Sequence, residues 1–134
     1  MEMGWQDDLY TARKIRSSSV KAKRIIRQST REPNETERRF ESNFLKPMLA
    51  AGIIVHYRFE PLRLRLGNGA WYKCEWVATD TSGRTSLYEV KGGRPRQREA
   101  GILTIKVAAS LYPEYEFWLY RWQNGQWDEQ RVLP

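Results

Sequence analysis

The stretch WYKCEWVATDTSGRTSLYEVK, residues 71–91, decides the fold that this sequence predicts. Residues 71–79 and 85–91 are rich in β-branched and aromatic side chains, and the polar residues 80–83 between them have the composition of a turn. A connection this short makes the two strands antiparallel neighbours in one sheet. These two strands are therefore expected to form the centre of the sheet.

Three charged side chains meet on this predicted strand pair. Glu89 and Lys91 are two residues apart, so both leave the same face of the strand. In a simple hairpin centred on the turn, Glu75 lies near the level of Glu89. Charges gathered on a sheet are costly unless they are paired, exposed or bound to a cation. The pattern therefore marks a candidate site.

The residues before this pair predict a helix and two further strands. Asn34 and Glu37 have the spacing of a capping box, and apolar residues follow at helical spacing. Pro47 is expected to kink or end that helix. Residues 53–59 then form a predicted strand, and residues 62–66 alternate leucine with arginine as a half-buried strand does.

The residues after the pair predict one helix and a hairpin. Residues 98–112 carry apolar side chains along one helical stripe, and residues 115–122 and 126–132 flank an Asn-Gly pair, a strong hairpin signal. The order is helix, three or four strands, helix and two strands. This order predicts an α/β or α+β domain with a mixed central sheet over residues 33–134.

The charge of the chain favours a polyanionic partner. Its 134 residues suit one domain, and 23 Lys and Arg against 16 Asp and Glu leave a net charge of +7. Residues 9–31 contain eight Lys or Arg and no acid. We expect residues 1–32 to be a basic arm, helical or disordered, that lies along phosphates or serves only as a solvated leader.

Several classes of protein are excluded by composition. Cys74 is the only cysteine and His56 the only histidine, so a disulfide framework, a thiolate zinc cluster and any site with two histidines are ruled out. The chain opens on polar residues and contains no apolar run near the roughly 20 residues that span a bilayer. We expect a cytoplasmic protein without a membrane partner.

The candidate site suits phosphodiester hydrolysis. Mg²⁺ prefers hard oxygen ligands and keeps several waters, and it lowers the pKa of a bound water. A lysine beside the metal stabilises or deprotonates the attacking water. Two carboxylates and one ammonium are the groups that this chemistry requires.

The residues that carry this chemistry, Cys74-Glu75 and Glu89-Val90-Lys91, resemble the two motifs of the PD-(D/E)xK nuclease superfamily. The layout is similar to small phage-type endonucleases, including the junction-resolving kind. The resemblance implies a restriction-endonuclease-like mixed sheet flanked by helices, and Mg²⁺ as cofactor, which Mn²⁺ can replace. It also implies DNA endonuclease activity on branched or other structured forms, in the cytoplasm of a bacterial host.

The resemblance also implies roles for individual residues. Glu37 would be the helix carboxylate, Glu75 the shared metal ligand, Glu89 the second ligand and Lys91 the catalytic lysine, and the carbonyl of Val90 would complete the metal shell. The family usually has aspartate where this chain has Glu75. A nuclease-fold DNA-binding protein with weakened or lost catalysis is therefore an alternative, and a basic adaptor without a metal site is another.

Each acid also has a structural interpretation. Glu37 can serve only as the return half of the capping box, and Glu75 can pair with Lys73 or Lys91 across the strands. Glu89 and Lys91 can form an ordinary solvated strand face. Glu60, which precedes Pro61, can serve only to fix a strand bend, and it is kept as an additional candidate.

The predicted DNA contacts lie after the second motif. The start of the second helix adds its dipole and free N–H groups to a cluster of cations, a combination that suits phosphate. Such contacts carry affinity without sequence specificity. Symmetric cutting of two strands or of a junction needs a homodimer, which we expect. The residues predicted to contact DNA are Arg94, Arg96, Arg98 and Lys106.

Overall fold

The computed structural model describes residues 24–26, 30–92 and 98–134, with side chains over 30–92 and 101–134. The chain is a mixed α+β fold, as the order of predicted elements indicates. The helical elements are α1 (Glu35–Phe40), a π-helical turn (Glu41–Leu45), α2 (Lys46–Ala50) and α3 (Arg98–Leu111). The strands are β1 (Arg24–Ile26), β2 (Ile54–Phe59), β3 (Leu62–Gly67), β4 (Ala70–Tyr72), β5 (Trp76–Asp80), β6 (Thr85–Lys91), β7 (Tyr115–Gln123) and β8 (Gln126–Val132).

A five-stranded mixed sheet forms the centre of the fold. Its strand order is β2-β5-β6-β7-β8, and its one parallel pair is β6 with β7. That pair is parallel because α3 lies between the two strands in the chain and carries it back across the sheet. The hairpin of β7 and β8 turns at Asn124 and Gly125, which both have positive φ, as a two-residue hairpin turn requires.

Helices cover both faces of this sheet. On one face, Phe40 and Leu45 of the first helical segment pack against Trp76, Tyr88 and Tyr120. On the other face, α3 packs against the leucine and valine side chains of the central strands and against the small sheet of β1, β3 and β4. The sheet is therefore buried between two hydrophobic cores, and charged side chains are stable only near its ends.

The first helix begins and bends where the sequence predicts. The N–H of Glu37 donates to Oδ1 of Asn34 at 2.9 Å, and the N–H of Asn34 donates to Oε1 of Glu37 at 2.9 Å, which completes the capping box. The expected kink at Pro47 is a π-helical turn that ends just before Lys46. A wider turn there accommodates a proline that lacks an N–H and would clash with the preceding turn.

The predicted strand over residues 71–79 is wrong as one element. It is two strands, β4 and β5, which belong to different sheets and are separated by residues 73–75. Tyr72 and Cys74 are buried in the core beneath α3, whereas Trp76 is buried in the core beneath α1. Positions two apart share a face in a regular strand, so the chain must rotate at Glu75 to fill both cores.

The expectation of a helical or disordered arm is wrong for residues 24–26. They form β1, which pairs antiparallel with β3 in the register Arg24 with Leu64 and Ile26 with Leu62. The outer edge of β3 offers unpaired backbone groups, and three residues of the arm satisfy them. Residues 1–23 and 27–29 of the predicted arm lie outside the described residues. Over the ranges that the structure covers, no helix is both long and apolar enough to cross a bilayer.

Candidate active site

The candidate site lies where β5 separates from β6. The ladder between these strands runs from Thr79 with Thr85 to Trp76 with Tyr88 and ends there, whereas β6 continues to Lys91 beside β7. Extending the register by one residue brings Glu75 opposite Glu89, the level that the sequence predicts. The strands are neighbours, and the end of their ladder leaves Glu89, Val90 and Lys91 without a paired residue on β5; this position is called the gap below.

Backbone hydrogen bonds hold Glu75 at the edge of this gap. Its N–H donates to the carbonyl of Tyr88 at 3.1 Å, and its carbonyl accepts from the N–H of Glu60 at 2.7 Å. The Glu75 side chain therefore starts from a fixed point, although residues 73–75 belong to neither strand.

The Glu75 carboxylate takes the place that a backbone carbonyl of β5 would occupy. Oε1 of Glu75 accepts a hydrogen bond from the N–H of Val90 at 2.6 Å. The N–H and C=O of one strand residue point to the same side, so the carbonyl of Val90 also faces the gap. An aspartate, one methylene shorter, cannot span this distance from the same backbone position.

Glu89 and Lys91 are directly paired on β6. Nζ of Lys91 lies 2.8 Å from Oε2 of Glu89. The other oxygen, Oε1, is buried and has no hydrogen-bond partner among the side chains and backbone that the structure describes. The buried hydroxyl of Tyr72 also has no hydrogen bond of good geometry there, but it lies near Glu89: after burial, which is the largest cause, the charge of Glu89 and an interaction between the two side chains raise the pKa of Tyr72. A buried carboxylate oxygen without a donor is costly, so this position favours either a closer approach of that hydroxyl or a further group.

Burial and like charge make Glu75 hard to ionise. Its pKa is raised to about 8, first by burial and then by the charge of Glu89; Lys91 and the N–H of Val90 oppose the shift. The pKa of Lys91 is also raised, because the two carboxylates outweigh the opposing effect of burial. The two acids and the lysine therefore act on one another as a single electrostatic unit.

The raised pKa of Glu75 predicts how stability depends on pH. Folded Glu75 keeps its proton between its ordinary value of 4.5 and about 8, whereas the unfolded chain releases it. The stabilising contribution is thus complete below pH 4.5 and is lost as the pH rises through about 8. Without added metal, Glu75→Gln should reduce the fall in the free energy of unfolding across this range, measured by urea titration at several pH values. Glu35→Gln, at an exposed position, is the control, and equal pH profiles for wild type and Glu75→Gln would refute the assignment.

A second group of charges lies beside the first. Nη2 of Arg31 contacts Oε2 of Glu37 at 3.0 Å and Oε2 of Glu60 at 2.6 Å, and Lys73 lies 3.7 Å from Glu60. The hydrogen bond between Glu60 and Glu75 connects the two groups. Glu37 also acts at a distance on both Glu75 and Lys91, whose pKa values it helps to raise.

Sequence reasoning missed Arg31 as a site residue and kept Glu60 only as an additional candidate. Glu60 does mark a strand bend, with a φ of 46°, but it also turns its buried carboxylate towards Arg31. The Glu-Pro dipeptide was the available signal. Arg31 is one of many cations in a basic stretch, and nothing local distinguishes it.

The structure brings some predicted residues together and not others. Glu37, Glu75, Glu89, Val90 and Lys91 lie at one end of the central sheet, by the contacts given above. Lys106 is exposed on α3, which also begins at Arg98, although that side chain lies outside the described part. Arg94 and Arg96 lie outside the described residues as well. Within residues 30–92 and 101–134, no three acids, histidines or cysteines are close enough to hold one metal ion.

Comparison with known proteins adds little to this geometry. No model of a protein family matches the chain, and no curated protein does. Among solved structures it is similar to one described as the crystal structure of SSO0001, with a TM-score of 0.42 and 10% identity over 96% of this chain and 78% of that one.

Proposed function

We propose that this chain is a divalent-metal-dependent nuclease that hydrolyses phosphodiester bonds in DNA. One observation carries the proposal. The carboxylates of Glu75 and Glu89 and the ammonium of Lys91 interact at the gap between β5 and β6, and Oε1 of Glu89 is buried there without a donor. The order of elements around them supports the resemblance to the PD-(D/E)xK nucleases.

The residues at the gap fit a hard divalent cation. Mg²⁺ binds through one or two carboxylates and completes its shell with waters. Glu89 offers the unpartnered oxygen, Glu75 offers its second oxygen, and the carbonyl of Val90 faces the same gap. A cation there would remove the repulsion that raises the pKa of Glu75. When bound, the metal would supply charge neutralisation at the phosphate and a more acidic water.

The residues of the chain then have distinct tasks. Lys91, whose pKa is raised, stays protonated at neutral pH. It can therefore donate a hydrogen bond to the attacking water or stabilise the charge that develops on the phosphate, rather than act as a base. With a cation bound, Glu75 is stabilised in its ionised form, so its task is to hold the metal rather than to accept a proton. The hydrogen bond from Val90 orients its carboxylate.

DNA cleavage in the presence and absence of metal tests the proposal. The full chain is incubated with linear duplex, single-stranded and four-way-junction DNA in Mg²⁺, Mn²⁺ or EDTA. We expect cleavage in either metal, none in EDTA, and loss of cleavage in Glu89→Gln with Glu35→Gln as the matched surface control. Cleavage that persists in Glu89→Gln, or its absence from every substrate and metal, would overturn the assignment.

DNA affinity is expected to depend steeply on salt. Residues 1–23 contain five Lys or Arg, and deleting them spares β1 and Arg31, which contact the folded body. Each phosphate that this segment neutralises contributes about −0.9 to the slope of log affinity against log salt. The deletion should flatten that slope, measured by fluorescence anisotropy, while cleavage at saturating DNA is retained. An unchanged slope would show that the segment does not contact DNA.

A DNA-binding protein of the same fold without catalysis is the second candidate. The pairing of Lys91 with Glu89 and of Arg31 with Glu37 and Glu60 favours it, because these cations neutralise the buried acids without any metal. The two candidates differ in one measurement. The nuclease binds Mn²⁺ at Glu75 and Glu89, whereas the binding protein retains DNA affinity and shows no metal-dependent change.

A further inference from the structure

We infer that Glu37 and Glu60 form a second cation-binding pair, which the guanidinium of Arg31 fills, so that Arg31 and a divalent metal ion exclude one another there. The inference deepens the proposed function and rests on it, since it concerns the same metal-dependent site. It gives Arg31 a role that neither DNA contact nor a surface ion pair would require.

The geometry of the pair points to a cation position. The two Oε2 atoms of Glu37 and Glu60 both face one nitrogen, Nη2 of Arg31, at 3.0 and 2.6 Å, and Nε of Arg31 donates to Glu60 at 3.0 Å. The guanidinium nitrogen stands where a metal ion would lie between two oxygen ligands. Mg²⁺ and carboxylate oxygens lie about 2.0–2.1 Å apart, so the exchange would draw the two carboxylates inward by roughly 0.5–1 Å.

Burial makes a cation necessary at this position. The side chains of Glu37 and Glu60 are 5% and 4% exposed, whereas that of Arg31 is 43% exposed. Two buried carboxylates that face one point repel each other and are stable as anions only with a cation between them. Arginine stays protonated at any ordinary pH, so the pair can change its cation only by exchange.

Other contacts of the pair leave the exchange feasible. Oε1 of Glu37 is held by the N–H of Asn34, and Oε1 of Glu60 lies 3.7 Å from Lys73. These contacts anchor each acid through its other oxygen, so both would stay in place if the guanidinium left. Arg31 is the most exposed member of the three, and its guanidinium also lies over the Phe59 ring, 4.9 Å from the ring centroid.

The exchange would act on the candidate active site directly. The backbone of Glu60 is hydrogen-bonded to that of Glu75, and the charge of Glu37 contributes to the raised pKa values of Glu75 and Lys91. An exchange of cations at Glu37 and Glu60 would therefore reach Glu75 through the backbone of Glu60.

Mn²⁺ binding to the full chain tests the inference without any activity assay. Isothermal titration calorimetry is run on wild type, Arg31→Gln and Arg38→Gln; Arg38 forms a comparable 3.0 Å pair with Glu32 at the surface and is the matched control. Removing the competing charge should add a Mn²⁺ site or tighten binding by about tenfold or more in Arg31→Gln, which corresponds to about 1.4 kcal/mol. Arg38→Gln should bind as wild type does. Equal affinity and stoichiometry in Arg31→Gln and wild type would overturn the inference.

Two further variants locate the effect. Adding Glu60→Gln to Arg31→Gln should abolish the gain, and a gain that survives would refute the assignment to this pair. Adding Glu89→Gln should leave the gain in place, so failure of the metal site at Glu75 and Glu89 is distinguished from failure at Glu37 and Glu60.

If Arg31→Gln does not fold without metal, Mn²⁺ should restore its folded state, measured by circular dichroism. Arg31→Lys, which keeps the charge but cannot face both acids with a rigid fork, should then show a smaller gain, and a lack of any gain would again count against the inference.

Discussion

Replacing Lys91 by alanine is expected to lower the rate of DNA cleavage by about 10²-fold or more and to leave DNA affinity nearly unchanged. Lys91 is paired with Glu89 at the gap, at 2.8 Å, so its loss removes a positioned positive charge from the reacting phosphate. Affinity depends on the whole field of 23 Lys and Arg, in which one lysine is a small part. Single-turnover cleavage and anisotropy titration measure the two effects separately.

Lys46→Ala is the matched control for this prediction. Lys46 is exposed on α2 and has no assigned contact with DNA, so its loss should change neither the cleavage rate nor the fold. Mn²⁺ affinity provides an independent readout, because freeing Glu89 from its ion pair should leave metal binding intact or tighten it. Full cleavage by Lys91→Ala would contradict the role assigned to the lysine, and a parallel loss of DNA affinity would show that Lys91 acts mainly by binding.

Removing the charge of Glu75 without changing its shape is expected to abolish cleavage. The amide oxygen of Glu75→Gln can still accept the hydrogen bond from Val90, so the junction of β5 and β6 is preserved, whereas the anionic ligand is lost. We expect cleavage to fall by 10²- to 10³-fold, about the loss seen when a strong electrostatic group is removed from an active site. The same variant should be at least as stable as wild type near pH 8, where ionising Glu75 is unfavourable.

Two other replacements of Glu75 distinguish its role as a metal ligand from its role in joining the two strands. Glu75→Ala loses the ligand and leaves the N–H of Val90 without its acceptor, so both cleavage and stability should fall. Glu75→Asp carries the residue usual in the PD-(D/E)xK nucleases that the sequence resembles, but it is too short for the hydrogen bond to Val90 from the present backbone. Its activity should therefore lie between wild type and Glu75→Gln. Wild-type cleavage by Glu75→Gln would show that the carboxylate serves only to join the strands.

The periodicity of strands and the length of the turn were enough to predict the residues at the centre of the site. Glu89 and Lys91 pair because side chains two apart on a strand share a face, and Glu75 reaches the level of Glu89 because a short turn sets the register of a hairpin. The capping box depends only on the spacing of three residues between Asn34 and Glu37, and it forms as expected. These features depend on spacing alone, so the chain around them has little influence.

The break between β4 and β5 could not be predicted in the same way. Tyr72, Cys74 and Trp76 alternate in sequence as one regular strand does, yet the first two and the third are buried in different cores. The choice depends on the positions of α1 and α3, which come from distant parts of the chain. Because of this break, the Glu75 side chain reaches the N–H of Val90. The detailed geometry of the candidate site therefore depends on a break that the alternation of residues 72–76 does not reveal.

By itself, the sequence determined the order of the helices and of most strands, the mixed sheet, the level of Glu75 beside Glu89 and the excess of positive charge, because composition, period and turn length act over a few residues. Only the tertiary structure decided that Arg31 would join Glu37 to Glu60, that Glu60 would hydrogen-bond to Glu75, and that residues 24–26 would extend the small sheet. Those contacts connect residues far apart in the chain. Their free energy depends on burial and on the distance between charges, and neither quantity exists until the chain has folded.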